Sequence, residues 1–310
     1  MRILPLDAIR RTLDYPAIID RMRAALIAHS RGECDTPMPM HLDIAAQRAE
    51  VHMKSSYRHG GRYFALKIAA TFPENAQRGL PVGNGMMLLS SAETGEPVAF
   101  LADAGHLTDV RTAAVAAMTA RELGRRDAVI GILGAGIQAR LSAAFHVEAL
   151  RPARIVLWGR SRERAEACAR DICDLVRDVE IAGTPAEVAD ACRLIVTCTA
   201  SREPLLHDRD IQPGTHISAI GSDSPGKQEL DPAILRRAAL VLADSRRQCE
   251  RLGELQHAPD QWERAIEIGE FCERSVAVAP ESVTLADFTG LGVEDLYIAE
   301  YIYERVLAQA

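Results

Sequence analysis

Residues 128–140 read AVIGILGAGIQAR, and this stretch decides the fold. Ala128–Leu133 is an apolar run of strand length. Gly134, Gly136 and Ala139 follow as G-x-G-x-x-A and open a helical pattern that runs through Ala149. At this spacing the first glycine permits a tight turn and the second lets the backbone approach a pyrophosphate. Ala139 lets the helix lie close to the sheet. The free N–H groups of the helix start then face the phosphates. A tight strand–helix turn without a ligand can carry the same letters. Here the strand before and the helix after it point to a dinucleotide site, with Gly134, Gly136, Ile137, Gln138 and Ala139 on the cofactor side.

The pattern downstream repeats that unit. Strand-like runs at 154–158, 179–181, 194–199, 216–220 and 240–243 alternate with helical stretches. Thr184-Pro185-Ala186-Glu187 reads as an N-cap, a proline in the first turn and a capping-box glutamate. Alternation at this rhythm predicts a doubly wound parallel sheet. Upstream the grammar differs. A helix is predicted from Tyr15 to about Ser30, with Asp14 as N-cap, an apolar stripe of Ile18, Met22 and Leu26, and Gly32 as its stop. Strand-like stretches at 50–57, 63–70, 85–90 and 98–103 follow with no helix between them, which predicts an antiparallel or mixed sheet. An Ala-rich helix spans 106–122, and an amphipathic helix over 294–308 returns to the first domain. The expected fold class is α/β: a Rossmann doubly wound parallel sheet inserted in a discontinuous α+β domain. Residues 1–112 with 291–310 form one part and 113–290 the other.

The end of the second strand bears on the cofactor. An NAD site usually places an acid there, for the ribose 2′-hydroxyl. This chain reads Leu157-Trp158-Gly159-Arg160-Ser161-Arg162, with Arg164 beyond. Cations at a helix start oppose the macrodipole, and a bound 2′-phosphate would offset that. NADP(H) is therefore the expected cofactor, with NAD(H) as the alternative, and Arg160, Ser161 and Arg162 are its expected contacts.

A chain of 310 residues accommodates about two domains. Its 48% hydrophobic and 25% charged content is that of a soluble globular protein. A net charge of −7 argues against a nucleic-acid partner. No apolar run approaches the ~20 residues of a membrane helix, so no membrane partner is expected. The opening MRILPLDAIRR does not read as a signal peptide. The seven cysteines (34, 168, 173, 192, 198, 249 and 272) include no C-x-x-C pair. They read as reduced, mostly buried thiols of a cytoplasmic protein. The nine histidines are scattered, and His146-Val147-Glu148 lies in a helical stretch without a second ligand cluster, so no metal site is expected.

Several strings in one order resemble the ornithine cyclodeaminase/mu-crystallin family. They are FALKIAATFPEN…GLP (64–81), LLSSAETGEPVAFL…LTDVRTAAVAA (88–117), LGAGIQA (133–139), TCTASREPLL (197–206), GSDSPGKQEL (221–230) and FTGLGVEDL (288–296). TPMP and AEVHMKSSY are similar to its ectoine-utilisation branch. The resemblance implies a homodimer. It also implies hydride exchange at the α-carbon of an amino acid or its imine, by a cyclodeaminase, dehydrogenase or imine reductase. A non-catalytic NADPH-binding, crystallin-like protein is the alternative. By the same resemblance Asp223 is the general acid/base, and Lys67 and Arg111 meet the substrate carboxylate. Thr112, Thr199, Ser222 and Lys227 lie on the cofactor side. Read physically, Asp223 falls just past a parallel strand's carboxyl end, where ligands of this fold sit, although the same string would also make a good Asx-turn. Lys67, in an apolar strand, must either snorkel to solvent or meet an anion. Lys54 stands where many members have a proline. Together with Lys67 it would suit a substrate with a second carboxylate or a polar tail, and otherwise it reads as an exposed strand lysine.

Overall fold

Helix α3 (His106–Glu122) carries the chain from one folding unit into another. The computed structural model describes residues 1–274 and 276–308. Its first unit is Met1–Arg111 with Leu291–Ala310, and its second is Thr112–Gly290. The division falls between Arg111 and Thr112, one residue before the boundary read from sequence.

The first unit is built on a seven-stranded mixed sheet: β1 (Arg2–Pro5), β2 (Cys34–Asp35), β3 (Met40–Ile44), β4 (Ala49–Arg58), β5 (Tyr63–Thr71), β6 (Gly83–Ser91) and β7 (Pro97–Ala102). The order is β1-β7-β6-β5-β4-β2, with β3 also paired to β4. β1 runs parallel to β7, and the other pairs are antiparallel. The first helices are α1 (Leu6–Arg11) and α2 (Tyr15–Ser30). Asp14 caps α2 by accepting the Ala17 N–H at 3.2 Å, and Gly32, at φ +69°, takes the left-handed turn that ends it. Ile18, Ile19, Met22 and Leu26 are fully buried, as their spacing requires. The sequence reading passed over β1 and β3. β1 is four residues long and does not alternate; β3 alternates strictly, but it turns its apolar residues Met40, Leu42 and Ile44 to an exposed face.

The faces of β5 are inverted in character. Ala65 and Lys67 point into the unit, whereas Leu66 is exposed. The Lys67 face is covered by the C-terminal helix, Gly292–Ala308. The opposite face shows Met40, Leu42, Leu66 and Met86.

The second unit is the doubly wound part. Its strands are β8 (Val129–Leu133), β9 (Arg154–Trp158), β10 (Asp178–Ile181), β11 (Leu194–Thr197), β12 (Arg202–Leu206), β13 (His216–Ala219), β14 (Gln228–Leu230), β15 (Leu240–Ala243), β16 (Ile266–Glu267) and β17 (Thr284–Asp287). Eight of them form one parallel sheet in the order β10-β9-β8-β11-β13-β17-β15-β16, and β12 pairs with β14 apart from it. The strand series does not end at Ala243, as the sequence pattern suggests. β17 inserts between β13 and β15, and two buried acids hold it there. Asp287 accepts the Glu254 and Leu255 N–H groups at 2.9 Å each, and Asp244 accepts those of Thr289 and Gly290 at 2.7 and 2.6 Å. Among the described residues no helix is long and apolar enough to cross a membrane. All seven cysteines are free thiols. Only Cys168, Cys192 and Cys249 are fully buried, and Cys173 is exposed, so the expectation of mostly buried thiols overstates their burial.

Two histidines are sealed in this unit. His146 donates from Nδ1 to the Ser142 carbonyl at 2.8 Å, and His216 bonds Thr284 and Ser218. Burial pushes His146 down to about 4 and His216 down to about 3. A depressed imidazole binds its proton in the unfolded chain first. Its contribution to stability is therefore whole above pH ~6.5 and drains away as pH falls through the folded-state value. His146→Gln keeps a donor for Ser142 and removes this titration. Relative to the wild type, the variant should gain about 1.4 kcal/mol for each pH unit between 6 and 4.5 in urea unfolding. A difference independent of pH would show that His146 is not held neutral.

Candidate functional site

Each unit holds its own set of candidate residues. In the first unit Lys67 is 2% exposed, with its ammonium 3.4 Å from Asp295 Oδ2. Arg111 reaches the same helix. Its Nη1 is 2.8 Å from Glu294 Oε2 and its Nε 3.2 Å from Asp295 Oδ1. The lysine meets an anion and does not snorkel. Burial lowers the pKa of Lys67, and Asp295 opposes that shift. The acids can come this close because Gly292 lies against β4, where a Cβ would stand 2.4 Å from the Ser55 carbonyl oxygen. Lys54 stands opposite Lys67 in the β4–β5 register and is 8% exposed, so it is not the exposed strand lysine that its position would otherwise suggest. Lys54, Lys67 and Arg111 are thus gathered in one unit. Glu294 and Asp295 escaped sequence reading as site members, although they lie in the quoted FTGLGVEDL string. Their partners are remote in sequence, and nothing local marks a helical acid pair as buried.

In the second unit the Gly-rich turn has the form a dinucleotide needs. Gly134 has φ +140°, and a Cβ there would stand 2.5 Å from Cys198 Sγ and 2.9 Å from its carbonyl oxygen. Only glycine fits. A Cβ on Gly136 would meet nothing within 4 Å, so the space in front of it is open. Gly136 is also the N-cap of α4 (Ile137–Leu150), and no side chain caps that end. Ile137 is exposed, and Ala139 is fully buried against the sheet. An open, uncapped start of a 14-residue helix fits a pyrophosphate.

The turn is tied to the strand end that carries the arginines. The Gly134 N–H donates to the Trp158 carbonyl at 2.8 Å, and a Cβ on Gly159 would lie 2.9 Å from that of Ala135. Arg160 is exposed directly beyond. Ser161 caps α5 (Arg162–Ile172) by accepting the Arg164 N–H at 3.3 Å. Arg162 pairs with Glu166 at 3.0 Å, one turn along the same helix, so it is the least available of the three arginines.

Asp223 and Lys227 form an ion pair of 2.6 Å, and the Ser224 hydroxyl donates to Asp223 at 3.2 Å. Asp223 is about half exposed, whereas Lys227 is largely covered. Ser222 donates to the Lys227 carbonyl at 2.9 Å, which closes the loop. A buried carboxylate anchors this loop. Glu229 accepts the Thr197 hydroxyl at 2.6 Å, the Thr199 N–H and hydroxyl at 2.6 and 2.7 Å, and the Gly221 N–H at 3.0 Å. It therefore fixes the ends of β11 and β13 together, with Thr199 and Gly221 on either side. Burial raises its pKa, and the threonine hydroxyls pull it back. Glu229 also escaped sequence reading, because a lone glutamate in QEL carries no pattern. Thr112 lies next to Arg111 in the same helix but belongs to the second unit.

The reading that no metal site is present passed over one cluster. His41, Glu50 and His52 each offer a ligand atom within 4.8 Å of the others. The signal was Glu50-Val51-His52 on a strand, where alternate residues share a face.

The sequence model of the ornithine cyclodeaminase/mu-crystallin family matches residues 4–310. A Sinorhizobium fredii protein described as an uncharacterized cyclodeaminase is 38% identical, over 97% of this chain and 91% of its own. Two solved structures superpose over the whole chain. An archaeal alanine dehydrogenase, a dimer with bound NAD, is 26% identical, is covered over 97% and has a TM-score of 0.92. The iminosuccinate reductase of Paracoccus denitrificans, in complex with NAD+, is 26% identical, is covered over 97% and has a TM-score of 0.89. With the whole chain matched and the paired lysine, arginine and Gly-rich turn in place, this chain is an enzyme of the ornithine cyclodeaminase/mu-crystallin family.

Proposed function

We propose that the chain exchanges hydride between a nicotinamide dinucleotide and the α-carbon of an amino acid or its imine. The observation that carries this reading is the sealed group of Lys67, Arg111, Asp295 and Glu294. A strand lysine and a helix arginine, spaced by acids, form a ready carboxylate receptor. The guanidinium offers a planar fork and the ammonium a point charge. Bound nicotinamide supplies the hydride donor or acceptor. Lys67 and Arg111 hold the α-carboxylate and so fix the α-carbon. Asp223, with Lys227 beside it, gives a proton to the imine nitrogen in reduction or takes one from the amine in oxidation. In cyclodeamination the same carboxylate handles the protons of the departing ammonia, with no net redox change.

Lys54, opposite Lys67, supports a substrate with a second carboxylate, a class to which the substrate named for the Paracoccus relative belongs. Arg160 beside the Gly-rich turn supports NADP(H). The NAD carried by both solved relatives supports NAD(H) as the second reading. The exposed apolar face of Met40, Leu42, Leu66 and Met86 supports a homodimer closed by a second copy of this sheet. Free thiols throughout support a reducing, cytoplasmic setting.

The test of mechanism is Asp223→Asn, which keeps the shape and removes the exchangeable proton. Single-turnover hydride transfer, with NADPH and a panel of 2-oxo acids plus amines, should slow by ~10²–10⁴-fold, with cofactor affinity little changed. Near-normal chemistry would reduce Asp223 to a turn residue. For the cofactor, NADPH should bind several-fold more tightly than NADH, and Arg160→Asp should erase the difference. Equal affinities in the wild type would remove the 2′-phosphate reading. Light scattering on the same micromolar samples should report a dimer, and a monomer would contradict the sheet-face assembly.

A further inference from the structure

The face of the first sheet that carries Lys67 also carries a cluster that the proposed chemistry does not use. β3 and β4 pair antiparallel with His41 opposite His52 and Asp43 opposite Glu50. Alternation along each strand sends all four side chains to one face. The two imidazole rings stand edge to face with centroids 4.7 Å apart, and His52 Nε2 is 3.6 Å from Glu50 Oε2. The side chains of Glu50 and His52 are largely covered, and that of His41 is 30% exposed. His41 is held from behind, because its Nε2 bonds Asp43 Oδ1 at 2.9 Å. Its Nδ1 is shielded from solvent and has no hydrogen-bond partner.

An imidazole with one nitrogen on a carboxylate and the other unpaired, beside a second imidazole and a glutamate, has the layout of a carboxylate–histidine–metal triad. Without an ion, the shielded Nδ1 is left unsatisfied, and buried polar atoms of that kind are uncommon. We infer that His41, Glu50 and His52 form a binding site for one divalent transition-metal ion of the zinc class, with Asp43 orienting His41. Two imidazoles and one carboxylate suit zinc, cobalt or nickel, and they suit magnesium or calcium poorly. Around a tetrahedral ion with ~2.0–2.2 Å bonds, ligand atoms stand roughly 3.3–3.5 Å apart. The present spread of up to 4.8 Å therefore needs only side-chain rotation to close. Three protein ligands leave a fourth position for water or another donor. This assignment is independent of the hydride-transfer reading, since it uses none of Lys67, Arg111 or Asp223.

The test is calorimetric titration of Zn²⁺ and of Mg²⁺ into the full-length, chelator-treated protein. A Cys173→Ser background removes the exposed thiol as a competing ligand. The expected result is one Zn²⁺ per protomer, a rise in melting temperature with Zn²⁺, and no response to Mg²⁺. His52→Ala and, separately, Glu50→Gln should weaken Zn²⁺ binding by at least ~10-fold. Asp43→Asn should keep the stoichiometry and lose ~10–100-fold in affinity. The glutamine variant is nearly isosteric and guards against a folding defect in the alanine one. Absence of Zn²⁺ binding in the parent protein would overturn the assignment. Binding that is unchanged in both His52→Ala and Glu50→Gln would do the same.

Discussion

A lysine on the inner face of an apolar strand is the constraint around which the first unit is arranged. Moving an ammonium out of water costs several kcal/mol unless an anion comes with it. Lys67 meets that demand through Asp295, and Arg111 meets its own through Glu294 and Asp295. The acids come from the chain's last helix, so the two ends of the sequence must fold together before either cation is covered. A discontinuous domain follows from this pairing. The group is also poised for exchange. The two acids hold the like charges of Lys67 and Arg111 together, and on the proposed reading a substrate carboxylate would take over part of that role.

The second unit solves a related problem with single acids. Glu229, Asp244, Asp287 and Glu254 are buried, and each accepts backbone N–H groups where strands give way to loops. Such bonds satisfy donors that the sheet ladder cannot reach, and they hold loops with little regular structure in one shape. Under the proposed mechanism Glu229 matters most, since it joins Thr199 to Gly221 and so sets the loop that presents Asp223. The proposed mechanism has Asp223 move a proton, which needs a carboxylate held in place by a close partner. Lys227, four residues further along the same loop, provides that partner at 2.6 Å.

The parts of the molecule legible in sequence were those whose signal is local. The turn of 134–139 could be read because glycine at Gly134 is demanded by its own backbone angle and by Cys198, and because a strand and a helix flank it. The helix from Tyr15 could be read from its cap and its stripe. Lys67 could be singled out because a charge interrupts an apolar run. What escaped depends on pairing across the chain. β3 alternates as a strand does, but only the pairing shows that its apolar residues face outward. β17 is a four-residue strand held by its own Asp287 and by Asp244 from another segment. Asp295 and Glu229 look like ordinary acids until their partners are in place, and His41 gains meaning only when the register puts it opposite His52.

The central claim is that the buried cations of the first unit hold the substrate's carboxylate. The most direct measurement is the KM for the 2-oxo acid in Lys67→Met, with NADPH affinity and melting temperature recorded alongside. Losing one charge-assisted hydrogen bond, at ~1.5–3 kcal/mol, should raise KM by about 10- to 100-fold and leave NADPH affinity nearly unchanged. A folded Lys67→Met protein with an unaltered KM would contradict the account and leave Lys67 as a purely structural partner of Asp295.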